Sequence, residues 1–479
     1  MPVPASRIRA VNDAPVRPDR DFVLHWMTGV RRIDGNFAID RAVEHAKALN
    51  KPLLVFEALR AGYKWASDRL HAFAIAGMRD NAARLEGTGV GYYCYLEAKH
   101  GHARGLLEQL AGHACVITTD DVPTFFLPAM VQAAGAKIDV RLEAIDGNGL
   151  LPLRATSKVF ERAQDFRRYM QKTVVAELEH TPRVNPLKDT ELPAFKHLPK
   201  DIAAKWPHGC DLPLERMAID HDVPVARLEG GSVQGLATAK QFIAKKLGNY
   251  GEGRNHPDEG AASGLSPYLH WGFVGVHQIF ALLADREEWT PAKVGKANGK
   301  RAGFWNMSEN DESFLDELIT WREVGYNSAA LRVDPESYDS LPAWAKTTLA
   351  KHASDKREHS YDLETLESAK TYDEVWNAAQ NELLREGRMH NYLRMLWGKK
   401  ILEWSETPRQ ALETLLHLNN KYALDGRNPN STSGIFWVFG RYDRPWGPER
   451  KIFGTVRYMT SQSTLRKLRM RDYMAKYGR

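Results

Sequence analysis

The sequence has few cysteines, and their number and spacing exclude most architectures built on sulfur. Its 479 residues include three cysteines, scattered along the chain and without a CxxC pair. A disulfide framework, or a four-cysteine zinc or iron–sulfur site, requires more thiols than this. We therefore expect no disulfide framework from Cys94, Cys115 and Cys210, and we predict no metal site.

Long apolar runs and internal repeats are also missing. A membrane-spanning helix would need about 18 or more consecutive apolar residues, and no such window occurs. The N-terminus lacks the apolar segment of a secretory signal. The sequence therefore predicts a cytoplasmic protein without a membrane partner.

The composition is that of a folded globular protein, with 43% hydrophobic and 26% charged residues. A chain of this length exceeds one ordinary core, so two domains are expected. The net charge of +6 is unevenly spread, because the last part of the chain, 427–479, carries twelve Lys and Arg against three acids. This excess predicts a contact for phosphates, although a solvated charged tail would have the same composition.

Short apolar runs alternate with helical patterns in the first part of the chain. The strand-like runs are 22–27, 52–56, 91–96, 114–119 and 138–145. The helical patterns between them are 37–49, 67–85, 102–110 and 126–134. This alternation predicts an α/β domain with a doubly wound parallel sheet. No GxGxxG follows the first strand, which disfavours a dinucleotide-dependent dehydrogenase.

The composition changes twice further along the chain. Residues 182–224 are rich in Pro, Lys, Asp and His without periodicity, which predicts an interdomain linker. Beyond it, apolar residues recur at helical spacing in the segments 232–247, 267–283, 311–323, 372–386, 389–404 and 408–418. We therefore predict an α/β domain at 1–181 and an all-α domain at 225–479.

Three tryptophans could act together in the all-α domain. Trp397 and Trp404 are seven residues apart, so on one helix they share a face and lie about 10 Å apart along its axis. Trp376, on the preceding helix, could pack beside them. Burial in the core alone would also account for three such side chains.

Paired spacings mark other candidate residues. Glu317 and Trp321 are four residues apart on one predicted helix, and Asn391 and Met395 repeat that spacing on another, so each pair points the same way. Ser266 precedes a proline where a helix should begin, an arrangement that could bind phosphate or simply cap the helix.

These segments, dense between Val375 and Asp425, resemble the photolyase and cryptochrome superfamily. The later run from Trp437 to Met459 resembles its class II branch. The resemblance implies that the all-α domain binds FAD, that the excited reduced flavin gives an electron to damaged DNA, and that a tryptophan chain re-reduces the flavin. Trp376, Trp397 and Trp404 match the class II triad.

The resemblance also assigns roles to single residues. Tyr361 matches an accessory tyrosine of the electron-transfer chain. Asn419 would face the flavin N5 atom, with Asn420 as the alternative one residue on, while Arg394 and Asp425 would tune the charge of the flavin ring instead of forming an ordinary buried ion pair. The implied flavin contacts are Tyr250, Ser263, Leu265, Ser266, Asn391, Arg394, Asn419 and Asp425.

The implied lesion site combines hydrogen-bonding and stacking groups. The catalytic set would be Glu317, Asn391, Met395 and Asn419. Trp321 and Trp437 would wall the flipped dimer. Arg457 would contact phosphate or lesion, and Arg444 with Trp446 would enter the hole left in the duplex. The (6-4) branch carries histidines at positions 391 and 395, so Asn and Met favour cyclobutane dimers.

We therefore predict a class II cyclobutane pyrimidine dimer photolyase, a monomer that binds UV-damaged DNA. The alternatives are a cryptochrome-like blue-light sensor and a DNA-binding flavoprotein without repair activity. The pattern departs from class II at 321–327 and in the spacing between 437 and 446. Whether an antenna chromophore, a deazaflavin or a folate, also binds is left open by the sequence.

Overall fold

The computed structural model describes residues 2–478 and confirms the predicted fold class. Six strands form one sheet in the order β1-β6-β5-β2-β3-β4, parallel except that β1 pairs antiparallel with β6. They are β1 (Ile8–Ala10), β2 (Phe22–Met27), β3 (Leu53–Leu59), β4 (Gly91–Leu96), β5 (Ala114–Asp120) and β6 (Leu142–Ile145). Every residue of β2 and β5 is buried, as expected for a parallel sheet covered on both faces.

The helices that connect these strands are close to their predicted positions. They are α1 (Phe37–Leu49), α2 (Asp68–Leu85), α3 (Leu106–His113) and α4 (Leu127–Gly135). The bounds of α1 are as predicted, because the Asn36 side chain accepts a hydrogen bond from the Ala38 N–H and Asn50 ends the helix in a left-handed conformation. Helix α3 begins later than predicted, after Gly105 at φ 85°.

The extended segment 182–224 runs back over the α/β part. It contains the short helix α6 (Lys200–Lys205), and its Trp206 is buried in the core beside Tyr93. Cys210 of this segment forms a disulfide with Cys94 in β4. The expectation that the three cysteines build no disulfide framework did not foresee this bond, because the two residues are 116 positions apart and meet only in the folded chain. Cys115 is free and buried.

The second part of the chain is all-helical, as predicted. Its longer helices are α7 (Ser232–Lys245), α10 (Val276–Arg286), α12 (Arg322–Leu331), α13 (Ala343–Lys351), α15 (Glu374–Glu386), α16 (Asn391–Trp404), α17 (Pro408–Tyr422) and α18 (Pro429–Val438). Shorter helices are α8 (Tyr250–Gly253), α9 (Ser266–His270), α11 (Glu309–Leu315), α14 (Leu363–Glu367), α19 (Ser461–Lys467) and α20 (Arg471–Tyr477). These helices form two cores. Helix α5 (Ala163–Glu177) comes earlier in sequence but packs through Phe166 into one of them, with α7, α9, α10 and α11, whereas α15 to α18 form the other core around Trp376.

Two predicted helices differ from their expected form. The segment 267–283 is broken into α9 and α10, because Gly272 adopts φ 69° and a Cβ there would lie 2.4 Å from the Gly29 carbonyl oxygen. The segment 311–323 is longer than expected, since α11 and α12 are joined by a π-helical turn, Asp316–Trp321. The turn is held by Arg167 of α5, which forms a buried ion pair with Asp316 at 2.6 Å.

Two sets of buried hydrogen bonds connect the α/β part to the helical part. The buried Arg69 of α2 donates to the carbonyl oxygens of Leu383 at the end of α15 and Tyr422 at the end of α17, at 3.1 and 2.9 Å. In α12, the Glu323 carboxylate accepts the N–H groups of Leu150 and Leu151, which follow β6. None of the helices within residues 2–478 is long and apolar enough to cross a membrane.

Candidate functional site

The three predicted tryptophans form a continuous buried column. Trp376 of α15 lies between the two tryptophans of α16, with ring centroids 6.4 Å from Trp397 and 5.4 Å from Trp404. The Trp376 and Trp397 rings are nearly parallel, and the Trp376 indole N–H donates to the Trp397 carbonyl oxygen at 3.1 Å. All three side chains are at most 2% exposed. The indole order is therefore 397, 376, 404.

Two tyrosines lie at the Trp404 end of this column. The centroid of Tyr361 is 5.1 Å from Trp404, and that of Tyr372 is 5.9 Å away. The Tyr372 backbone N–H donates to the Tyr361 hydroxyl at 3.1 Å. Tyr361 thus stands where an accessory tyrosine of the column would be, and Tyr372 is an additional neighbour that the sequence reasoning missed.

Arg394 and Asp425 form a bidentate ion pair, with contacts of 2.9 and 3.2 Å. Burial would raise the pKa of the Asp425 carboxyl, but the charge and hydrogen bonds of Arg394 outweigh it, so the pKa lies below its ordinary value. The Ser266 hydroxyl supports the same carboxylate. The pair therefore presents a fixed carboxylate and guanidinium beside the start of α9.

The two neighbouring asparagines of α17 have different partners. The Asn419 amide exchanges hydrogen bonds with the Ser431 hydroxyl, at 2.9 and 3.2 Å. The Asn420 side-chain oxygen accepts the backbone N–H of Arg427 and so holds the turn after α17. The Asn419 amide nitrogen also donates to the Asn420 side-chain oxygen at 3.1 Å, so the two side chains are linked, and the role of Asn419 toward a ligand stays a prediction.

The remaining predicted flavin residues lie on short elements before α10. Tyr250 and Leu265 are buried, and the Ser263 hydroxyl accepts the Leu265 N–H at 3.3 Å. Ser266 is exposed at the first residue of α9. Because α9 has five residues, its N-terminus offers free N–H groups but little helix dipole.

A buried polar atom without a partner lies directly before α16. His390 directly precedes α16, and its Nδ1 atom has no hydrogen-bond partner among residues 2–478. Burial lowers the His390 pKa to about 4, so the ring is neutral. An unpaired buried nitrogen calls for a ligand group. Together with Asn391, Arg394 and Ser266, it forms a donor and acceptor set that fits a flavin nucleotide.

The predicted lesion residues surround the π-helical turn and the start of α16. Glu317 and Trp321 are both half-buried at the two ends of that turn, and π-helical turns are common at functional sites. The Glu317 carboxylate is not free, since it pairs with Arg254 at 2.5 Å. Asn391 is exposed and Met395 half-buried on α16.

Asp443 organises the predicted DNA-contacting residues. Its carboxylate accepts the Arg457 Nε–H at 2.9 Å and the Trp446 indole N–H at 3.1 Å. The Arg457 guanidinium lies 4.0 Å from the centroid of Trp446 and 5.4 Å from that of Trp437, while Arg444 covers Trp446 at 4.4 Å. The Trp446 indole is therefore in contact with two guanidinium groups.

Beneath this cluster lies a lysine that the sequence reasoning also missed. The Lys399 ammonium of α16 donates to the Val438 carbonyl oxygen at 2.6 Å and lies 4.8 Å from the Trp437 ring centroid. Burial lowers the Lys399 pKa to about 7, against the opposing influence of Asp443. A lysine between two tryptophans on a helix gives no sequence signal that separates it from a surface residue.

The basic excess of the last part of the chain is smaller at the surface than in the sequence. Arg427 and Arg441 are buried, at 4% and 2% exposure. Others are paired with acids, including Arg469 with Glu259 at 2.6 Å. Fewer cations are therefore available for the expected phosphate contact than the sequence suggests. Among the predicted DNA-contacting residues, Arg444 is the exposed cation.

A cavity of about 590 Å³ lies elsewhere, between the carboxyl edge of the sheet and the helices. Tyr63, Phe126 and Trp271 contribute aromatic walls, while Arg31 and Arg322 contribute charge. This edge is where parallel α/β sheets bind ligands. Its lining contains none of the residues predicted to bind flavin.

Known proteins resemble the chain over nearly its whole length. The protein named deoxyribodipyrimidine photo-lyase from Methanothermobacter thermautotrophicus is 31% identical over 475 residues, which is 98% of this chain and 97% of that protein. The protein of the same name from Oryza sativa is 31% identical, covering 98% and 90%. No family model matches the chain.

A solved structure supports the fold. The crystal structure of a bacterial class III photolyase from Agrobacterium tumefaciens superposes with a TM-score of 0.68 at 17% identity, covering 96% of this chain and 86% of the other. At 17% identity, this similarity shows the fold alone. The relatives that are 31% identical in sequence show the family. The chain therefore belongs to the deoxyribodipyrimidine photo-lyase family, within the photolyase and cryptochrome superfamily.

Proposed function

We propose that this chain is a deoxyribodipyrimidine photo-lyase of class II type, which reverses cyclobutane pyrimidine dimers in DNA under light. The observation that carries the proposal is the unbroken column of buried indoles, Trp397, Trp376 and Trp404. Burial in a hydrophobic core does not by itself require three tryptophan rings to contact one another in a row. Relatives named deoxyribodipyrimidine photo-lyase, which match nearly the full length of the chain, support the same activity.

The cofactor is proposed to be FAD. When bound and reduced, the flavin supplies the excited-state electron that splits the dimer. Arg394 and Asp425 would hold it through their fixed charges, Ser266 through its hydroxyl, and Asn419 through its amide. Because the Asp425 pKa is low, this carboxylate stays ionised at neutral pH and keeps Arg394 oriented.

Lesion recognition is assigned to the groups around the π-helical turn. Glu317 would hydrogen-bond the thymine edge, Trp321 and Trp437 would stack on the flipped bases, and Asn391 with Met395 would complete the pocket. The ion pair with Arg254 positions the Glu317 carboxylate before any lesion binds. A charge-assisted acceptor held in place loses less conformational entropy on binding.

Contact with the duplex is assigned to the cluster around Asp443. Arg444 and Trp446 would enter the hole left by the flipped dinucleotide, and Arg457 would hold Trp446 from the other side. The proposed partner is thus UV-damaged DNA, bound by a monomer in the cytoplasm. The proposed division of the chain is an α/β domain at 1–181, a linker at 182–224 and a catalytic domain at 225–479.

The cavity at the sheet edge is proposed as the antenna site. Its aromatic walls suit a planar chromophore, and the Arg322 guanidinium suits an anionic tail, while Arg31 is already paired with Glu57 at 2.7 Å. A deazaflavin or a folate would fit this description equally. Absorption spectra of the protein reconstituted with each one would distinguish them.

The decisive experiment is repair of defined lesions by the fully reduced, FAD-loaded protein under blue light, read by chromatography. Cyclobutane dimers should revert while (6-4) products remain. The exposed Glu309→Ala variant serves as a control for substitution near the Glu317 site. Photoreduction without reversal of either lesion would replace the proposal with a light sensor, and reversal of (6-4) products would overturn the assignment of Asn391 and Met395.

A further inference from the structure

We propose that Tyr372 is a second terminal electron donor to the tryptophan column, parallel to Tyr361. The proposal rests on the proposed light-driven function and deepens it. The resemblance to known proteins assigns the end of the column to Tyr361 alone. The structure, however, brings two phenols to the same indole.

The position of Tyr372 permits direct transfer to the end of the column. Its ring centroid is 5.9 Å from Trp404, against 5.1 Å for Tyr361. Both rings meet the indole edge to face, at 64° and 77°. Since electron transfer between side chains weakens steeply with separation, two rings in contact with one indole compete on similar terms.

The surroundings of the Tyr372 hydroxyl permit the loss of its proton. Lys400 donates to this oxygen at 3.3 Å, so the phenol proton must point elsewhere. Tyr372 is 54% exposed, and water can therefore take that proton. Oxidation of a phenol at neutral pH requires such an acceptor, because the oxidised phenol is strongly acidic.

Lys400 remains a cation in this position. Burial would lower its pKa, but the hydrogen bond and charge of Glu403, with Asp373, raise it above the ordinary value. Its ammonium lies 2.9 Å from Glu403 and 3.4 Å from Asp373. A fixed positive charge beside the Tyr372 oxygen disfavours a retained proton on the oxidised ring, so electron and proton leave together.

The exposed face of Tyr372 also meets His359, whose ring is stacked on it at a centroid distance of 4.0 Å. His359 lies 6.4 Å from Tyr361 as well. The two tyrosines and this histidine thus form one aromatic group at the surface, through which the column opens to solvent.

The oxidised Trp404 indole takes one electron from the Tyr372 phenol, the O–H bond breaks, and the proton passes to water, leaving a neutral phenoxyl radical on Tyr372. A soluble thiol then gives a hydrogen atom to the phenoxyl oxygen, which restores the phenol and leaves a thiyl radical. Exposure of Tyr372 makes it accessible to the thiol.

The test is flash photolysis of the FAD-loaded protein with dithiothreitol as the thiol, comparing wild type with Tyr361→Phe, Tyr372→Phe and the double variant. Absorption of tryptophan and tyrosine radicals is followed in H2O and D2O, and trapped radicals are identified by electron paramagnetic resonance. Tyr169→Phe is the control, because Tyr169 packs on Phe160 in the other core.

The expected result is that Tyr361→Phe keeps a tyrosyl signal and a slower decay in D2O, while the double variant loses both and its tryptophan radical lives several-fold longer. Loss of the tyrosyl signal in Tyr361→Phe alone, or its survival in the double variant, would overturn the inference and leave the proposed function intact. Absence of any tryptophan radical in wild type would overturn the electron-transfer column and this inference together.

Discussion

The Glu317 carboxylate lies 2.5 Å from the Arg254 guanidinium, so the residue assigned to the lesion is already one half of an ion pair. Arg254 in turn lies over the ring of Tyr250, at 5.5 Å from its centroid. A single charge-assisted contact thereby joins the proposed lesion pocket to the proposed flavin site. A substitution of Glu317 therefore also removes the ion-pair partner of Arg254.

Glu317→Ala should weaken lesion recognition by about 1–3 kcal/mol, because a buried edge of the flipped base loses its hydrogen-bond partner. Flavin content should stay unchanged. Glu317→Gln keeps an acceptor and should lose less. The measurement is repair yield at limiting lesion concentration together with the FAD absorbance of each purified variant. Equal loss of flavin and repair would show that the carboxylate serves the cofactor instead.

Trp376→Phe should slow photoreduction by an order of magnitude, because this ring is in contact with both other indoles. Repair by chemically reduced protein should be nearly unaffected. Since a ring is kept, the loss of unfolding free energy should stay below the roughly 3–5 kcal/mol of a truncation to alanine. Trp289→Phe, in the other core, is the matched control. Unchanged photoreduction would remove Trp376 from the column.

Arg444→Ala should reduce the slope of log affinity against log salt for lesion DNA by about 1, because one exposed cation of the proposed DNA-contacting cluster is lost. Arg79→Ala, exposed on α2 of the α/β part, should leave the slope unchanged. Binding titrations at several salt concentrations give both slopes. Equal slopes for wild type and Arg444→Ala would place the DNA on another face.

Asp443→Asn should lower lesion affinity about tenfold, or roughly 1.4 kcal/mol, because a charged acceptor of the Arg457 and Trp446 hydrogen bonds becomes neutral. Affinity for undamaged duplex should change less, since the intruding indole matters where a base pair has flipped. Competition between damaged and undamaged duplexes measures the ratio. An unchanged ratio would show that the cluster around Asp443 does not read the lesion.

Lys399→Met should reduce the increase in the free energy of unfolding as the pH rises from about 7 to 10.5. The folded pKa of about 7 lies below the ordinary 10.5. Between these values the unfolded chain binds a proton that the folded chain does not, so stability rises with pH by up to about 1.4 kcal/mol per unit. Urea unfolding across this window measures the slope, with the exposed Lys451→Met as control. A slope equal to wild type would contradict the buried position of Lys399.

Sequence periodicity was sufficient to predict the strands and helices of the fold, but not the tertiary contacts that join them. The fully buried strands β2 and β5 are mostly apolar, and the Asn36 side chain caps the start of α1. Strand β1 was missed because three residues give no period. The break at Gly272 depends on a close approach to Gly29, and the Cys94–Cys210 bond depends on where a linker lies in space. Neither contact is encoded by local pattern.

For the site, spacing identified which residues could act but not their partners. The seven-residue interval placed Trp397 and Trp404 on one helix, yet the central position of Trp376 follows from the packing of α15 on α16. The ion pair of Glu317 with Arg254 spans two elements whose contact no helical period reveals. The roles of these residues were assigned from the family resemblance, and those roles remain predictions.

Arg69 has a consequence for how this molecule can be divided. It belongs to α2, yet it supplies hydrogen bonds to the last turns of α15 and α17, the helices that carry Trp376 and Asn419. Without it, the final carbonyl groups of both helices would be buried and unsatisfied. A catalytic fragment cut at the linker would lose these hydrogen bonds and the packing around Arg69, so the first half of the chain stabilises the helices that carry the proposed electron-transfer residues of the second.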